Sequence, residues 1–316
     1  MMDGAPLPPP NPDLLHDALA GLTAPKKSLP PKWLYDARGS ALFEAITDLP
    51  EYDLTRTETA ILRAEAGRLA RLVPPGGALV EFGSGASTKT RTLLDAGPHL
   101  GAYVPVDISE AFLAETATAL RRDYPHLSIH PVAADFTAPV ALPAELADRS
   151  KVGFFPGSTI GNLDPAIAVR LLAHARGWPD VRAFVLGIDL VKDEAAMVAA
   201  YDDAAGVTAA FIANILVRLN AEAAGEFDPA TFAYRATWNV EAARIDMELV
   251  SRRAQTIRLA DHEIPFEAGE PIHVSASRKY TSDSVAALVC DAGWHLDKML
   301  TDPMDRFAVA ILAPEV

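Results

Sequence analysis

The first half of the chain alternates between short apolar runs and segments with helical periodicity. The apolar runs predict buried strands at 78–82, 102–106, 128–133, 152–155 and 183–189. The segments between them predict helices at 87–94, 110–124 and 165–177. Strands that alternate with helices in this way indicate a parallel, doubly wound α/β sheet.

This alternation breaks between residues 191 and 279. The segments there predict an α+β insertion: a long helical stretch at 194–223, with Gly206 inside it, and then strands at 232–239, 244–251 and 255–258. The first pattern then resumes with a helix and two strands at 282–292, 294–301 and 306–313. We expect the terminal hairpin to complete a seven-stranded, Rossmann-like sheet.

The residues before the first strand predict an arm and several helices. Residues 1–12 are rich in proline and predict a disordered arm. Helical patterns follow at 13–22, 41–47 and 58–72, and Thr57 is a suitable N-cap for the last of these. We therefore predict an α/β domain and a smaller α+β domain that acts as a lid, formed by 57–190 with 280–316 and by 13–56 with 191–279.

The first predicted strand runs directly into a glycine turn, Glu81-Phe82-Gly83-Ser84-Gly85. Two near-adjacent glycines let the backbone turn sharply and let a ligand approach the main chain beside a helix N-terminus. A dinucleotide fingerprint would need a third glycine at Thr88, and a phosphate loop would need lysine before the threonine, so both are weakened. The E-x-G-x-G spacing is typical of S-adenosylmethionine methyltransferases, although it suits a purely structural turn equally well.

Polar residues also stand at the ends of the next predicted strands. Asp107 follows the second strand, 24 positions after Gly83, where a carboxylate can accept from two adjacent ribose hydroxyls. The alternative is that Asp107 or Ser109 caps the following helix. Asp135 and Phe136 end the third strand and offer a polar group and an apolar wall that suit adenine. Because ligands in such sheets bind at the carboxyl ends of the strands, these residues predict a nucleoside cofactor.

Composition narrows the range of partners. The chain carries 28 Lys and Arg against 42 Asp and Glu, and its net charge of −14 argues against nucleic acid or an anionic membrane. No apolar run approaches the ~18 residues that span a bilayer, and the start of the chain lacks the pattern of a secretory signal. A single cysteine, Cys290, excludes an intrachain disulfide and fits a reducing compartment. We expect a cytoplasmic monomer without a bound metal, with Cys290 buried in an apolar helix.

Longer motifs carry a family resemblance. They are Pro-Lys-Trp-Leu-Tyr-Asp-Ala-Arg-Gly-Ser at 31–40, Leu-Pro-Glu-Tyr and Thr-Arg-Thr-Glu within 49–58, the glycine turn, Phe-Pro-Gly-Ser-Thr-Ile-Gly-Asn at 155–162 and Gly-Ile-Asp-Leu-Val-Lys-Asp at 187–193. With the segment at 200–208 they extend over nearly the whole chain. The sequence resembles the histidine-specific Nα-methyltransferases of ergothioneine biosynthesis. This resemblance implies a methyltransferase domain that uses S-adenosylmethionine, a smaller substrate-binding domain, and three successive methylations of the α-amino group of L-histidine.

The resemblance implies a set of cofactor positions, which are Tyr35, Gly83, Ser84, Gly85, Lys89, Asp107, Ile108, Asp135 and Phe136. Within this set Asp107 would bind the ribose, and Asp135 with Phe136 would bind the adenine. Tyr35 and Lys89 would close over the methionine end, where the Lys89 ammonium suits the carboxylate. The alternative for Lys89 is a solvated lysine on a helix, the usual position of this residue type.

A second implied set binds the amino-acid substrate and consists of Tyr52, Gly157, Asn162, Tyr201, Met247, Ser275 and Ser277. Gly157, Asn162 and Tyr201 would hold its amino and carboxylate groups, while Tyr52 and Met247 would lie beside its side chain. The Asn162 amide offers an acceptor for the amine and a donor for the carboxylate, although capping of its own loop is the alternative. N-methylation depends mainly on positioning, so we expect Asn162 and Tyr201 to orient the neutral amine while water takes the proton.

One departure from the family concerns the imidazole pocket. The family has a glutamate there, followed two residues later by a serine, and alignment on Lys279 and Tyr280 places Ser275 and Ser277 at these positions. A carboxylate accepts strongly from an imidazole N–H, whereas a hydroxyl makes a neutral hydrogen bond worth about 1 kcal/mol. Either another group, such as the nearby His273, compensates for the lost glutamate, or the substrate is a different amino acid.

Two other classes of protein stay open on sequence alone. A nicotinamide oxidoreductase would share the doubly wound core, but the missing third glycine counts against it. A cofactor-binding relative without catalysis is favoured only by the lost glutamate.

Overall fold

The computed structural model describes residues 11–85 and 87–315. Within these ranges the α-helices are α1 Pro12–Leu22, α2 Ala37–Thr47, α3 Leu54–Ala70, α4 Thr88–Ala96, α5 Glu110–Asp123, α6 Pro165–Arg176, α7 Glu194–Ala199, α8 Val207–Glu222 and α9 Ser282–Asp291. The strands are β1 Ala78–Phe82, β2 Ala102–Asp107, β3 Ser128–Ile129, β4 Val132–Ala133, β5 Lys151–Phe155, β6 Val181–Asp189, β7 Phe232–Asn239, β8 Arg244–Ser251, β9 Gln255–Leu259, β10 His262–Phe266, β11 Pro271–Arg278, β12 Trp294–Thr301 and β13 Phe307–Pro314. Residues 1–10 of the predicted arm lie outside the described residues, while Pro12 already begins α1.

The chain divides into two compact units. The larger unit comprises Leu54–Val191 and Arg278–Val316, and the smaller unit comprises Met1–Asp53 and Lys192–Ser277. These divisions differ by at most three residues from those predicted after residues 56, 190 and 279. The assignment of the units to a methyltransferase domain and a substrate-binding lid stays a prediction.

The larger unit is built on one sheet with the order β12-β13-β6-β5-β1-β2-β3, and β4 pairs further along β2. Strands β6, β5, β1 and β2 run parallel, whereas β13 is antiparallel to both β6 and β12. The single strand predicted at 128–133 is split into β3 and β4, because Pro131 has no N–H to donate. The predicted α/β fold class, with seven strand positions and a smaller α+β unit, is confirmed.

An aromatic cluster anchors the end of β1 in this sheet. All five residues of β1 are buried, and the ring of Phe82 lies 5.8 to 6.3 Å from the rings of Phe155, Trp178 and Phe184. Burial of one such side chain contributes about 1.5–3 kcal/mol. The cluster therefore holds Phe82, the last residue of β1, in the core directly before the glycine turn.

The smaller unit combines helices with two small sheets, β11-β8-β7 and β10-β9. The long helical stretch predicted at 194–223 consists of two separate helices, α7 and α8. The Asp203 carboxylate accepts from the N–H groups of Val207 and Thr208, each at 2.8 Å, and thereby starts α8. Gly206 stands just before α8 with φ +71°, a conformation that interrupts a helix.

Two smaller predictions are wrong. The helix predicted from residue 58 begins at Leu54, so Thr57 is a buried residue of its first turn and not its N-cap. Cys290 is exposed rather than buried. The reason is that α9 buries Val285 and Val289, and Cys290, the next residue, faces outward.

Candidate functional site

The glycine turn that follows β1 adopts a backbone suited to glycine, with φ +64° at Gly83 and +47° at Gly85. The N–H groups of Gly83 and Ser84 donate to the Val106 carbonyl at 2.9 and 3.2 Å, which holds the turn against the end of β2. The Gly85 N–H donates to a carboxylate oxygen of Asp107 at 3.0 Å. The structure therefore brings Asp107 and the glycine turn together.

Asp107 keeps acceptor capacity in this position. One oxygen accepts from Gly85 and the other from the Ser109 N–H at 3.1 Å, whereas an ionised carboxylate can accept about four hydrogen bonds. The Ser109 side chain makes no capping bond to α5. Because Asp107 is partly exposed, its carboxylate can still accept from the hydroxyl groups of a ligand.

Ser84 gives independent support for a ligand at the turn. The residue is only 6% exposed, and its hydroxyl has no hydrogen-bond partner among the described residues. Leaving such a buried group unsatisfied costs about 1–3 kcal/mol. A polar ligand atom would supply the partner, so the turn fits a cofactor with amino, carboxylate or hydroxyl groups.

Apolar surface lies beside the same turn. The Phe136 ring packs 5.3 Å from the ring of Phe155, and its edge would lie 3.6 Å from a Cβ placed on Gly83. Ile108 is 51% exposed, which is unusual for a large apolar side chain at the end of a strand. Asp135 is exposed, and its carboxylate accepts from the N–H and hydroxyl of Thr137 at 2.9 and 2.6 Å. These side chains offer both apolar and polar contacts for a heteroaromatic ring.

A buried carboxylate network ties β1 to α4 next to the turn. Glu81 is 1% exposed and accepts from the hydroxyl groups of Thr90, at 2.5 Å, and of Tyr103. The Tyr103 hydroxyl also lies 2.8 Å from that of Ser87. Burial raises the pKa of Glu81 to about 7, against the opposing effect of these two hydrogen bonds. The glutamate of the E-x-G-x-G motif is therefore a buried anchor for the first turn of α4.

A second special turn follows β5. Gly157 and Ser158 have φ +80° and +53°, and a short 3-10 turn, Thr159–Asn162, comes next. A Cβ on Gly161 would lie 2.7 Å from the Arg278 carbonyl oxygen, so only glycine fits there. Asn162, the last residue of this turn, is only half-buried, so part of its side chain is exposed. This side chain is therefore accessible to a ligand.

Helix α3 delivers a fully buried carboxylate to this turn. The two oxygens of Glu58 accept from the Gly157 N–H at 2.8 and 3.0 Å. The Lys89 ammonium, on α4, forms an ion pair with the same carboxylate. Lys89 is therefore not the solvated lysine considered as the alternative, because it pairs with Glu58. This ion pair was not predicted from the sequence. The available signal is the charge of Glu58 among the buried apolar residues of α3.

A second buried ion pair lies at the end of β6. The Lys279 ammonium lies 2.6 Å from an Asp189 carboxylate oxygen, and neither side chain has exposed surface. The Asp189 N–H donates to the Ser158 hydroxyl at 2.9 Å, which connects this pair to the turn after β5. The two charged residues are 90 positions apart, so no local pattern links them.

The smaller unit brings together three of the proposed substrate residues. The hydroxyl groups of Tyr201 and Ser277 lie 2.7 Å apart, and the rings of Tyr52 and Tyr201 meet edge to face at 5.8 Å. Met247 is buried on β8. Tyr35, proposed as a cofactor residue, packs in this unit against aromatic rings, those of Phe43 and Phe211.

Ser275 and His273 lie two residues apart on β11 and therefore share a face of the strand. Ser275 is buried, with 6% of its surface exposed. Burial lowers the pKa of His273, although the Asp246 carboxylate, 3.8 Å from its Nδ1, acts in the opposite direction. A histidine side chain is either neutral or positively charged, so His273 does not restore a negative charge beside Ser275.

Residues 11–85 and 87–315 contain no group of three or more His, Cys, Asp or Glu side chains placed to hold a metal ion. They also contain no helix with the length and apolar character needed to cross a membrane.

Comparison with known proteins identifies relatives over nearly the whole chain. Residues 14–314 match the family described as histidine-specific, S-adenosylmethionine-dependent methyltransferases. The chain is 43% identical over 306 residues to the histidine N-alpha-methyltransferase of Mycolicibacterium smegmatis, with 94% of each chain covered. It is 40% identical over 306 residues to the protein of the same name from Mycobacterium tuberculosis, covering 95% of this chain and 94% of that one. A match to the ergothioneine biosynthesis protein 1 of Neurospora crassa, 33% identical over 208 residues, covers 61% of this chain and 23% of that protein.

The doubly wound sheet, the glycine turn and these matches define an S-adenosylmethionine-dependent methyltransferase. Within that class the chain belongs to the family of histidine-specific methyltransferases. The resemblance drawn from the motifs is thereby confirmed, as is S-adenosylmethionine as the cofactor. These matches do not support the alternative interpretation as a nicotinamide oxidoreductase.

Proposed function

We propose that this enzyme methylates the α-amino group of free L-histidine three times in succession, giving Nα,Nα,Nα-trimethylhistidine. The observation that carries the proposal is the match to the histidine-specific family over residues 14–314. Two relatives named histidine N-alpha-methyltransferase, 43% and 40% identical to this chain, support it. The number of methyl transfers rests on the resemblance of the motifs.

The proposed cofactor residues of the larger unit fit S-adenosylmethionine, which supplies a methyl group on a sulfonium. Asp107 has acceptor sites left for the ribose hydroxyls, and Ser84 lacks the partner that a polar ligand atom would provide. Phe136 and Ile108 offer the apolar contacts for adenine. Lys89 can bind the methionine carboxylate, because an ammonium has three donors and its ion pair with Glu58 leaves others available.

The proposed substrate residues have separate tasks in the two units. In the larger unit, Gly157 and Asn162 would bind the amino and carboxylate groups of the substrate. In the smaller unit, Tyr201 would share that task, and Tyr52 and Met247 would contact the side chain. The hydrogen bond between Tyr201 and Ser277 fixes the position of the Tyr201 hydroxyl, which favours an orienting role.

The proposed chemistry requires a neutral amine. An α-amino group has a pKa of about 8 and is mostly protonated at pH 7. Partial desolvation and the Asn162 carbonyl oxygen, which accepts from the amine, both favour the neutral form with its lone pair available. Neither Asn162 nor Tyr201 is a strong base, so the proton leaves to water and the rate arises from positioning.

The substrate is tested by offering the enzyme a mixed pool of amino acids with S-adenosylmethionine and reading mass increments of one, two or three methyl groups. We expect histidine to be the preferred acceptor and to receive three. Preference for another amino acid would favour the same chemistry on that substrate, for which the uncharged Ser275 is the motivating observation. Absence of any product with bound cofactor would indicate a relative without catalysis.

Ser275→Glu is expected to lower the KM for histidine about ten-fold, because a carboxylate binds an imidazole N–H more strongly than a hydroxyl does. The larger side chain must also fit a buried position, so Ser275→Gln, of similar size but without charge, is the matched control. Steady-state kinetics of both variants separate charge from size. Equal KM values for the two variants would show that position 275 does not contact the imidazole.

Methyl transfer is expected to continue unchanged in a metal chelator, since the proposed chemistry uses positioned polar groups and the sulfonium. The measurement is turnover after dialysis against EDTA, compared with enzyme dialysed in buffer. Loss of turnover that a divalent cation restores would contradict the metal-free proposal.

We also propose that the enzyme acts as a monomer in the cytoplasm. The single cysteine, which permits no intrachain disulfide, supports a reducing compartment. Sedimentation equilibrium at several protein concentrations tests the monomer.

A further inference from the structure

One buried carboxylate contacts both the turn after β5 and the first turn of α4, in the larger unit. Glu58 has no exposed surface, accepts from the Gly157 N–H and pairs with Lys89 at the start of α4. We propose that Glu58 is a positioning residue: it holds the Lys89 ammonium in place for the carboxylate of the cofactor and the Gly157 backbone in place for the amino-acid substrate. This inference rests on the proposed function.

The composition of α3 argues against a role in packing alone. Leu54, Ile61 and Leu62 are buried at helical spacing on the face that carries Glu58. An apolar residue at position 58 would complete this face, whereas a buried carboxylate is costly unless it is paired and hydrogen-bonded. Both partners that satisfy Glu58 belong to the proposed ligand-binding residues, so the charge serves the ligand sites.

The opposite side of the carboxylate is shaped to receive it. A Cβ on Gly187, in β6, would lie 2.1 Å from Glu58 Oε1 and 3.1 Å from the Gly157 nitrogen. A side chain at position 187 would displace the Glu58 carboxylate from this position. Glu58 is therefore surrounded by parts of α3, α4, β6 and the turn after β5, and its position is determined on all of these sides.

The ion pair gives Lys89 a fixed geometry before any ligand binds. The lysine side chain is 20% exposed, so it reaches the surface while its ammonium stays on Glu58. A lysine without such a partner would have to lose rotamer freedom when the ligand arrives, which weakens binding. Glu58 removes that cost in advance.

Glu58→Gln tests the link to the cofactor. Glutamine keeps the shape and an acceptor for the Gly157 N–H but removes the charge that holds Lys89. We expect S-adenosylhomocysteine to bind about ten-fold more weakly in titration calorimetry, the effect of one charge-assisted contact. Glu65→Gln is the matched control, because Glu65 lies on the same helix and pairs with Arg68, 2.7 Å away at the surface. Equal affinity in the two variants would overturn the proposal.

A double-mutant cycle distinguishes positioning from general stabilisation. In a Lys89→Met background, Glu58→Gln should have no further effect on S-adenosylhomocysteine binding, because the residue it acts through is gone. An effect that persists without Lys89 would overturn the proposal. If Lys89→Met does not fold, with a buried carboxylate left unpaired, the comparison with Glu65→Gln decides alone.

Glu58→Leu tests the link to the substrate. It removes the acceptor as well as the charge, so the KM for the amino acid should rise in this variant and stay near the wild-type value in Glu58→Gln. An unchanged KM in a folded Glu58→Leu variant would overturn this half of the proposal. S-adenosylhomocysteine binding needs no methyl acceptor, so a wild-type enzyme that binds it but leaves histidine unmethylated would refute only the proposed function.

Discussion

Glu81→Gln is expected to stabilise the protein above pH 7 and to have little effect near pH 4.5. Burial raises the pKa of Glu81 from its usual 4.5 to about 7. The folded state therefore holds the proton more tightly than the unfolded state, so this stabilisation is complete below pH 4.5 and is lost as the pH rises to about 7. A shift of this size corresponds to about 3 kcal/mol. Glutamine resembles the protonated carboxyl group and does not titrate, so the variant keeps this stabilisation at high pH.

The geometry of the Glu81 network makes this substitution conservative. The hydroxyl groups of Thr90 and Tyr103 both donate to the same oxygen of Glu81, and an amide oxygen can accept from both. Urea unfolding between pH 4.5 and 8.5 should show the difference from wild type growing by about 3 kcal/mol. Glu115→Gln, on the exposed face of α5, serves as the control and should give a constant difference. A constant difference for Glu81→Gln as well would mean that its carboxyl has the same pKa in both states.

The strands could be predicted from sequence where a local pattern is complete. β1 is buried along its whole length, and its sequence is apolar except for Glu81 and is followed directly by a glycine. β7 and β8 have the bounds predicted at 232–239 and 244–251, because apolar and polar residues alternate along most of each strand. Asp107 and the glycine turn could be expected to meet because both stand at the carboxyl ends of adjacent parallel strands.

The remaining features depend on contacts of individual side chains, most of them between positions far apart in the sequence. Glu58 precedes Lys89 by 31 residues and Gly157 by 99, and no spacing rule connects them. The break between α7 and α8 depends on one side chain, Asp203, that caps a helix four residues later, in a segment whose alanines favour a continuous helix. The surroundings of Ser275 depend likewise on the packing of β11 and not on any local motif.

Asn162→Ala is expected to lower kcat/KM for the amino acid about 100-fold, close to 3 kcal/mol in transition-state binding. The proposed role gives the Asn162 amide two substrate contacts, one to the amine and one to the carboxylate. A hydrogen bond to a charged group, here the carboxylate, contributes about 1.5–3 kcal/mol, and one to the neutral amine contributes less. The loss of both bonds therefore accounts for about 3 kcal/mol. Binding of S-adenosylhomocysteine should stay within about two-fold of wild type, because Asn162 is not among the proposed cofactor residues.

Two further variants separate this role from capping of the turn. Thr159→Ala removes the bond from the Thr159 hydroxyl to the Pro156 carbonyl, 3.0 Å long, within the same turn, and so measures what distortion alone does. Asn162→Asp keeps an acceptor for the amine but replaces the donor with a negative charge facing the substrate carboxylate, so its KM should rise at least as much as that of Asn162→Ala. If Asn162 only capped the turn, aspartate would serve nearly as well as asparagine, since both are good caps. Near-normal kinetics of Asn162→Asp would therefore contradict substrate binding by this residue, whatever Asn162→Ala shows.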